Sequence, residues 1–254
     1  MTTSVGHKPE AERWVFDEGV TECFDDMLVR SIPLYEEMLD LVAALVARHI
    51  RPGDTIIDLG VSSGNALSRI TERLAERKVA NVRLVGVDNS KSMLKAARAR
   101  LPESAELIEA DLSREWPYRL TACEPKVILC LYTAQFIPLE RRAEMFRNAR
   151  GAISDGGCMF VAEKLRGQTS RHQDVMATAY SKWKVAQGYT EEDVLAKAQS
   201  LEGVLVSLSA PEQKQFLLAE GWNPEEVIRY LGFAGYFCLP CGSPVSYTHL
   251  RAHE

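Results

Sequence analysis

Thr55-Ile56-Ile57-Asp58-Leu59-Gly60-Val61-Ser62-Ser63-Gly64-Asn65-Ala66 decides the fold. An apolar run closes on an acid, a glycine-bearing turn follows, and the next residues read as helix. A second apolar run, Val82-Arg83-Leu84-Val85-Gly86-Val87, closes on Asp88-Asn89. A strand, a tight loop opening a helix and an acid at the end of the next strand describe a nucleoside site on a doubly wound sheet.

Outward from that stretch, strands and helices alternate. Helical spacing of Leu34, Met38, Leu41, Val42, Leu45 and Val46 predicts a helix over Pro33 to Ile50, stopped by Arg51-Pro52-Gly53-Asp54. The first strand is expected over Thr55 to Leu59 and the second over Val82 to Val87, with a helix over Asn65 to Lys78 between them. Ser90 is placed to cap the next helix. Ala105 to Ala110, closed by Asp111, Lys126 to Tyr132 and Cys158 to Ala162 complete a set of five strands, with a helix over Pro138 to Ile153 before the last. Glu163-Lys164 is read as following that strand. Two amphipathic helices, Arg171 to Gln187 and Thr190 to Leu201, then interrupt the alternation as a cover over about 166–209. A helix over Pro211 to Glu220 and a strand pair, Glu226 to Leu231 and Gly235 to Leu239, close the fold. The expectation is α/β: a Rossmann-like, seven-stranded, mostly parallel sheet with an antiparallel C-terminal hairpin.

The 254 residues fit one domain, expected over 1–244. A hydrophobic fraction of 46% with 26% charged residues places the chain among water-soluble globular proteins. Net charge is -5, which gives no support for direct nucleic-acid binding. No apolar stretch approaches a membrane span. Met1 to Glu10 lacks the apolar core of a signal peptide, so a cytoplasmic location is expected. Trp14, Phe16, Cys23, Phe24, Met27 and Leu28 suggest an N-terminal helical segment packed on the body. Cys238-Leu239-Pro240-Cys241 has metal-ligand spacing, but no second ligand pair is evident and no metal is expected. Val245 to Glu254 fits no element and resembles one reading frame of a transposase adaptor used in preparing sequencing libraries. It is set apart as an artefact, and His249 and His253 leave the candidate list with it.

Asp58, Asp88 and Asp111 end three successive strands, where open α/β sheets place their ligand crevice. Gly60 and Gly64 allow close backbone approach. Asp88 is suited to ribose hydroxyls, and Asp111 with the Leu112 backbone to an adenine edge. A dinucleotide loop usually carries three glycines to cradle a pyrophosphate. The spacing here is Asp58-x-Gly60-x-x-x-Gly64 with Ser62 between, which favours S-adenosylmethionine over NAD. The catalytic candidates are Tyr132, after the fourth strand, and His172 and Tyr180 in the inserted helices. Trp183 and Tyr189 are read as packing residues.

The chain resembles the carboxy-S-adenosylmethionine synthases, a branch of the class I methyltransferases. The similar segments are Val15-Phe16-Asp17-Glu18, Val29-Arg30-Ser31-Ile32-Pro33-Leu34-Tyr35, Asp58 to Gly64, Val87-Asp88-Asn89-Ser90, Thr133-Ala134-Gln135-Phe136, Glu163-Lys164 and Gly188-Tyr189, in family order. The resemblance implies a homodimer, S-adenosylmethionine as ligand, and Tyr35, Gly60, Ser62, Asp88, Asn89, Asp111 and Leu131 on cofactor positions; Val61 and Leu112, beside these, are also expected at the cofactor. Two of the family's positions differ: Leu131 stands where the family has asparagine, and Ala198 where it has the arginine that holds the extra carboxylate. Lys197 is adjacent, but one helical step turns a side chain by about 100°, and lysine lacks the planar fork that suits a carboxylate. The expected activity is therefore methyl transfer from S-adenosylmethionine to a small acceptor. The alternatives are carboxy-S-adenosylmethionine synthesis from prephenate, serving tRNA wobble-uridine modification, and a non-catalytic, cofactor-binding partner subunit.

Overall fold

The computed structural model describes residues 18–242, with side chains from residue 24 onward. Expectations for Trp14, Phe16, the Cys23 side chain and residues 245–254 lie outside the described residues. Helices α1 (Glu18–Ser31) and α2 (Tyr35–His49) lead into β1 (Thr55–Leu59), α3 (Asn65–Glu76), β2 (Arg83–Asp88), α4 (Lys91–Arg100) and β3 (Glu106–Glu109). The short α5 (Tyr118–Thr121), β4 (Val127–Leu131), a 3₁₀ turn (Ala134–Phe136), α6 (Leu139–Ala152) and β5 (Cys158–Lys164) follow. Then come α7 (Ser170–Ala186), α8 (Glu191–Ser200), α9 (Ala210–Ala219), β6 (Trp222–Tyr230) and β7 (Phe233–Pro240).

The strands form one sheet in the order β3-β2-β1-β4-β5-β7-β6. β1 to β5 run parallel, and β7 returns antiparallel between β5 and β6. The mostly parallel sheet with an antiparallel closing hairpin, read from the alternation, is therefore present. Successive strand side chains point to opposite faces, and both faces are covered. Ile56, Leu129 and Phe160 pack with α2 and α3 on one face. Ile57, Ile128, Val161 and α6 residues Met145 and Phe146 pack on the other. This two-sided burial is why the central strands read as continuous apolar runs. Ser90 caps α4 as expected, its Oγ accepting from the Met93 N–H at 3.4 Å.

Several boundaries differ from expectation, and those of β6, β5 and β3 have a physical reason. β6 starts at Trp222, four residues before Glu226, although Pro224 lies inside it. β6 is an edge strand, where a residue without an N–H costs no ladder bond on its open side. A bulge between Glu226 and Ile228 then shifts the register. β5 continues through Glu163 and Lys164, because β7 pairs with both. β3 ends at Glu109, so Asp111 lies in the turn after the strand, accepting from the Ser113 N–H at 2.9 Å.

Candidate functional site

A cavity of about 530 Å³ opens at the carboxyl ends of β1, β2, β4 and β5, a size that suits a small cofactor with a second small molecule. The loop after β1 forms its floor. Gly60 and Val61 N–H groups donate to the Val87 carbonyl at 2.8 and 2.9 Å, which draws the loop across the end of β2. Gly60 has φ 88°, and a Cβ there would lie 2.1 Å from Thr133 Oγ1. Gly86, inside β2, serves the same loop, since a Cβ on it would meet Val61 Cγ2 at 2.7 Å. Ser62, Tyr132 and Leu231 all line the cavity with positive φ of 50°, 59° and 41°. Such conformations in non-glycine residues gather at functional sites because the surrounding structure must hold them there.

Tyr35, Asp58, Gly60, Val61 and Ser62 line the cavity. So do Asp88, Asn89, Asp111, Leu112 and Leu131. Gly64 does not. With φ 83°, it turns the chain into α3 behind the loop, where a Cβ would crowd Leu101 Cγ at 3.1 Å. Asp88 accepts the Ser62 N–H through one carboxylate oxygen and the Ser90 N–H through the other, both at 2.9 Å. Burial nonetheless pushes its carboxyl up from the ordinary range. Asp58 is raised to about 7, first by burial and then by the charge of Asp88. Two desolvated acids at one end of a cavity favour a cationic ligand, whose approach restores their ionised form.

The other end carries opposite charge. Lys164 lies at the tip of β5, with Nζ 4.7 Å from the centre of the Tyr180 ring. Lys184 on α7 is 2% exposed, with Nζ 4.6 Å from the Tyr189 ring. Burial, and then Lys164, pull the Lys184 ammonium down to about 8. Among the described residues neither lysine has a carboxylate at ion-pair distance. Tyr180 and Lys184 are four residues apart on one helix face, and for Lys184 that spacing was the only mark in the sequence.

Glu163 and Lys164, expected beyond the strand, are instead its last two residues and face opposite ways. Glu163 is 2% exposed and lies on the side away from the cavity. Its carboxyl is raised to about 8 by burial, against the pull of Arg142. Of the catalytic candidates, His172 is corrected. It lies in the first turn of α7, exposed and off the cavity, because Thr169 caps that turn and leaves its outer side in solvent. Tyr180 lines the cavity, but its hydroxyl donates to the Ser31 carbonyl at 2.6 Å. Tyr132 lines it too, and its buried hydroxyl has no hydrogen-bond partner. Burial pushes both phenols up, which favours their neutral form. Trp183 stacks on Tyr180 at 6.1 Å, and Tyr189 is buried. Cys238 is buried and Cys241 exposed.

Comparison with known proteins agrees with this geometry. A family model described as a methyltransferase domain matches residues 56–157. The carboxy-S-adenosyl-L-methionine synthase of Nautilia profundicola is 31% identical, over 94% of this chain and all of that protein. The synthase of Wolinella succinogenes is 33% identical over 89% of this chain and 92% of that protein. Among solved structures, an O-methyltransferase family protein from Burkholderia thailandensis superposes with a TM-score of 0.63 at 17% identity, over 89% of this chain and 61% of that one. DhpI in complex with SAH superposes with a TM-score of 0.59 at 16% identity, over 89% and 93%. The full-length likeness, on a class I methyltransferase sheet, means that this chain belongs to the carboxy-S-adenosyl-L-methionine synthase family.

Proposed function

We propose that the chain binds S-adenosylmethionine in this cavity and transfers its sulfonium methyl to a small acceptor lying under α7 and α8. The acidic end formed by Asp58 and Asp88 supports the cofactor reading, because the ligand's sulfonium and ammonium are cations. Gly60 leaves room for close backbone approach, and Asp88, Asp111 and the Leu112 backbone are the groups for ribose and adenine. Bound there, the cofactor supplies a methyl group already activated by its positive sulfur. The protein's part is then to orient the acceptor and exclude water. Tyr132, Phe233 and Tyr180 form the wall for that task.

Ala198 carries the choice between methyl and carboxymethyl chemistry. It lines the cavity at the position where the family resemblance places the carboxylate-binding arginine, so no guanidinium fork stands there. Lys197 lines the cavity too, its ammonium 2.8 Å from Met27 Sδ, but a lysine lacks the planar fork that grips a carboxylate with two bonds. A second reading, carboxy-S-adenosylmethionine synthesis, is supported by Lys164 and Lys184, two ammonium groups that suit an acidic co-substrate. Incubation with S-adenosylmethionine and prephenate, followed by mass spectrometry, separates the two. Methyl transfer predicts no product heavier by a carboxylate, and such a product overturns it. Tight binding of S-adenosylmethionine with no turnover of any acceptor would favour a partner-subunit role. We also propose that residues 1–244 act as one unit, as a homodimer in the cytoplasm, without direct nucleic-acid contact. Light scattering of the purified chain tests the dimer.

A further inference from the structure

α1 crosses the mouth of the cavity, and Phe24, Met27, Leu28 and Ser31 form part of its wall. Its hold on the cofactor loop is a polar clasp. One Asp25 carboxylate oxygen accepts from Ser63 Oγ and from Asn65 Nδ2, both at 2.8 Å, and the other pairs with Arg100. Arg100 reaches the same two loop residues, donating to the Ser63 carbonyl at 2.9 Å, to Ser63 Oγ at 3.0 Å and to the Asn65 side-chain oxygen. Burial pushes the Asp25 carboxyl up, but the bonds from Arg100, Asn65 and Ser63 outweigh it and hold the group below the ordinary carboxylate range. The clasped residues, Ser63 and Asn65, flank Gly64 and directly follow Ser62, and both Ser62 and Gly64 have positive φ.

The opposite end of α1 grips the acceptor side. Arg30 Nε donates to the Gln187 carbonyl at 2.8 Å, and its guanidinium lies 4.4 Å from the Tyr189 ring centre. Ser31 Oγ and Tyr189 Oη are 2.9 Å apart. α1 thus bridges the glycine loop and the α7–α8 cover, held by side-chain bonds at its middle and in its last turn, with Phe24, Met27 and Leu28 as the apolar wall. A polar clasp of this kind is exchangeable with water in a way that a packed interface is not.

We propose that Asp25 and Arg100 are positioning residues forming a latch by which α1 closes over bound cofactor, fixing the shape of the loop and slowing cofactor release. This rests on the reading of the cavity as an S-adenosyl site. The latch acts on retention, because a helix lying over an occupied cavity must lift before the ligand leaves. The test uses the full chain and S-adenosylhomocysteine as probe, with stopped-flow dissociation and hydrogen exchange of the 24–31 backbone. Asp25→Ala is expected to release the probe about tenfold faster, with association changed less than twofold. Arg100→Ala is expected to match it. The double variant should be no worse than either alone, since both remove one clasp. In the wild type, probe binding should slow exchange over 24–31, and in Asp25→Ala that protection should be lost. A merely structural role would change the denaturation midpoint but not the probe-dependent protection. Release within twofold of wild type in both single variants overturns the latch, as does exchange over 24–31 that ignores the probe. If the wild type takes up no S-adenosylhomocysteine, the cofactor reading itself fails.

Discussion

At Gly60 a single methyl group decides whether the loop exists. The residue has φ 88° and faces Thr133 Oγ1 at 2.1 Å from where a Cβ would stand. Gly60→Ala combines left-handed strain with overpacking, so a loss of roughly 2–5 kcal/mol is expected in chemical denaturation. A loss under about 0.5 kcal/mol would mean that the loop relaxes freely. Asp88 acts through bonds rather than shape. Asp88→Ala removes the carboxylate offered to the ribose and leaves the Ser62 and Ser90 N–H groups without their acceptor. Loss of a charge-assisted bond of roughly 1.5–3 kcal/mol corresponds to about 10- to 100-fold weaker binding of S-adenosylmethionine by calorimetry. An unchanged affinity would remove Asp88 from the cofactor site. Both residues were legible in the sequence, because a glycine turn and a strand-closing acid each leave a local signature. Asp25 and Arg100 were not. Their clasp joins positions 75 apart in the chain, and nothing in either neighbourhood marks the partner.

On the scale of elements, α8 and α7 set what the acceptor end admits. Ala198 lies on the cavity side of α8, so Ala198→Arg would project a guanidinium into that space. It is expected to raise affinity for carboxy-S-adenosylmethionine about tenfold relative to S-adenosylmethionine, the gain of one charge-assisted bidentate pair. Competition calorimetry with the two ligands reads this, and an unchanged ratio would show that α8 does not face the extra carboxylate. Lys184 on α7 gives a pH signature. Its folded value of about 8 lies below the ordinary value of 10.5 for lysine, so the folded state disfavours the charged form. That penalty on stability is fully present below pH 8 and is relieved as pH rises from about 8 toward 10.5. Lys184→Met is therefore expected to raise the denaturation midpoint at pH 7 and to leave it unchanged near pH 10.5. Equal effects at both pH values would contradict a depressed lysine. The helices themselves were readable from their periodicity. Lys184 was not, because on a helix pattern a lysine reads as solvent-facing, and only its packing against Tyr180 and Tyr189 shows that it is buried.

The whole molecule is a sheet with its chemistry at the carboxyl ends of β1, β2, β4 and β5, and Glu163 lies off that cavity, on the Arg142 side of β5. Sequence reading placed Glu163 and Lys164 together just after the fifth strand. The antiparallel return of β7 extended β5 by two residues, and strand alternation sent the two side chains apart. That pairing is long-range, so no local pattern could have shown it. Glu163 keeps its proton to about pH 8 when folded, while an unfolded glutamate releases it near 4.5. Its stabilising contribution is complete below about pH 4.5 and declines as pH rises to about 8, by about 1.4 kcal/mol for each pH unit as an upper bound. Glu163→Gln should flatten that decline in denaturation curves taken from pH 5 to 9, and a slope identical to wild type would mean that Glu163 ionises normally inside the fold. The margins of the same sheet have a separate consequence. β6 presents Pro224 and a kink at Glu226 to the outside, and β3 offers only four residues, two of them glutamates. Neither border is a template on which a stray strand can nucleate. Among the described residues, copies crowded during synthesis therefore find no ribbon to extend at either border of the finished sheet.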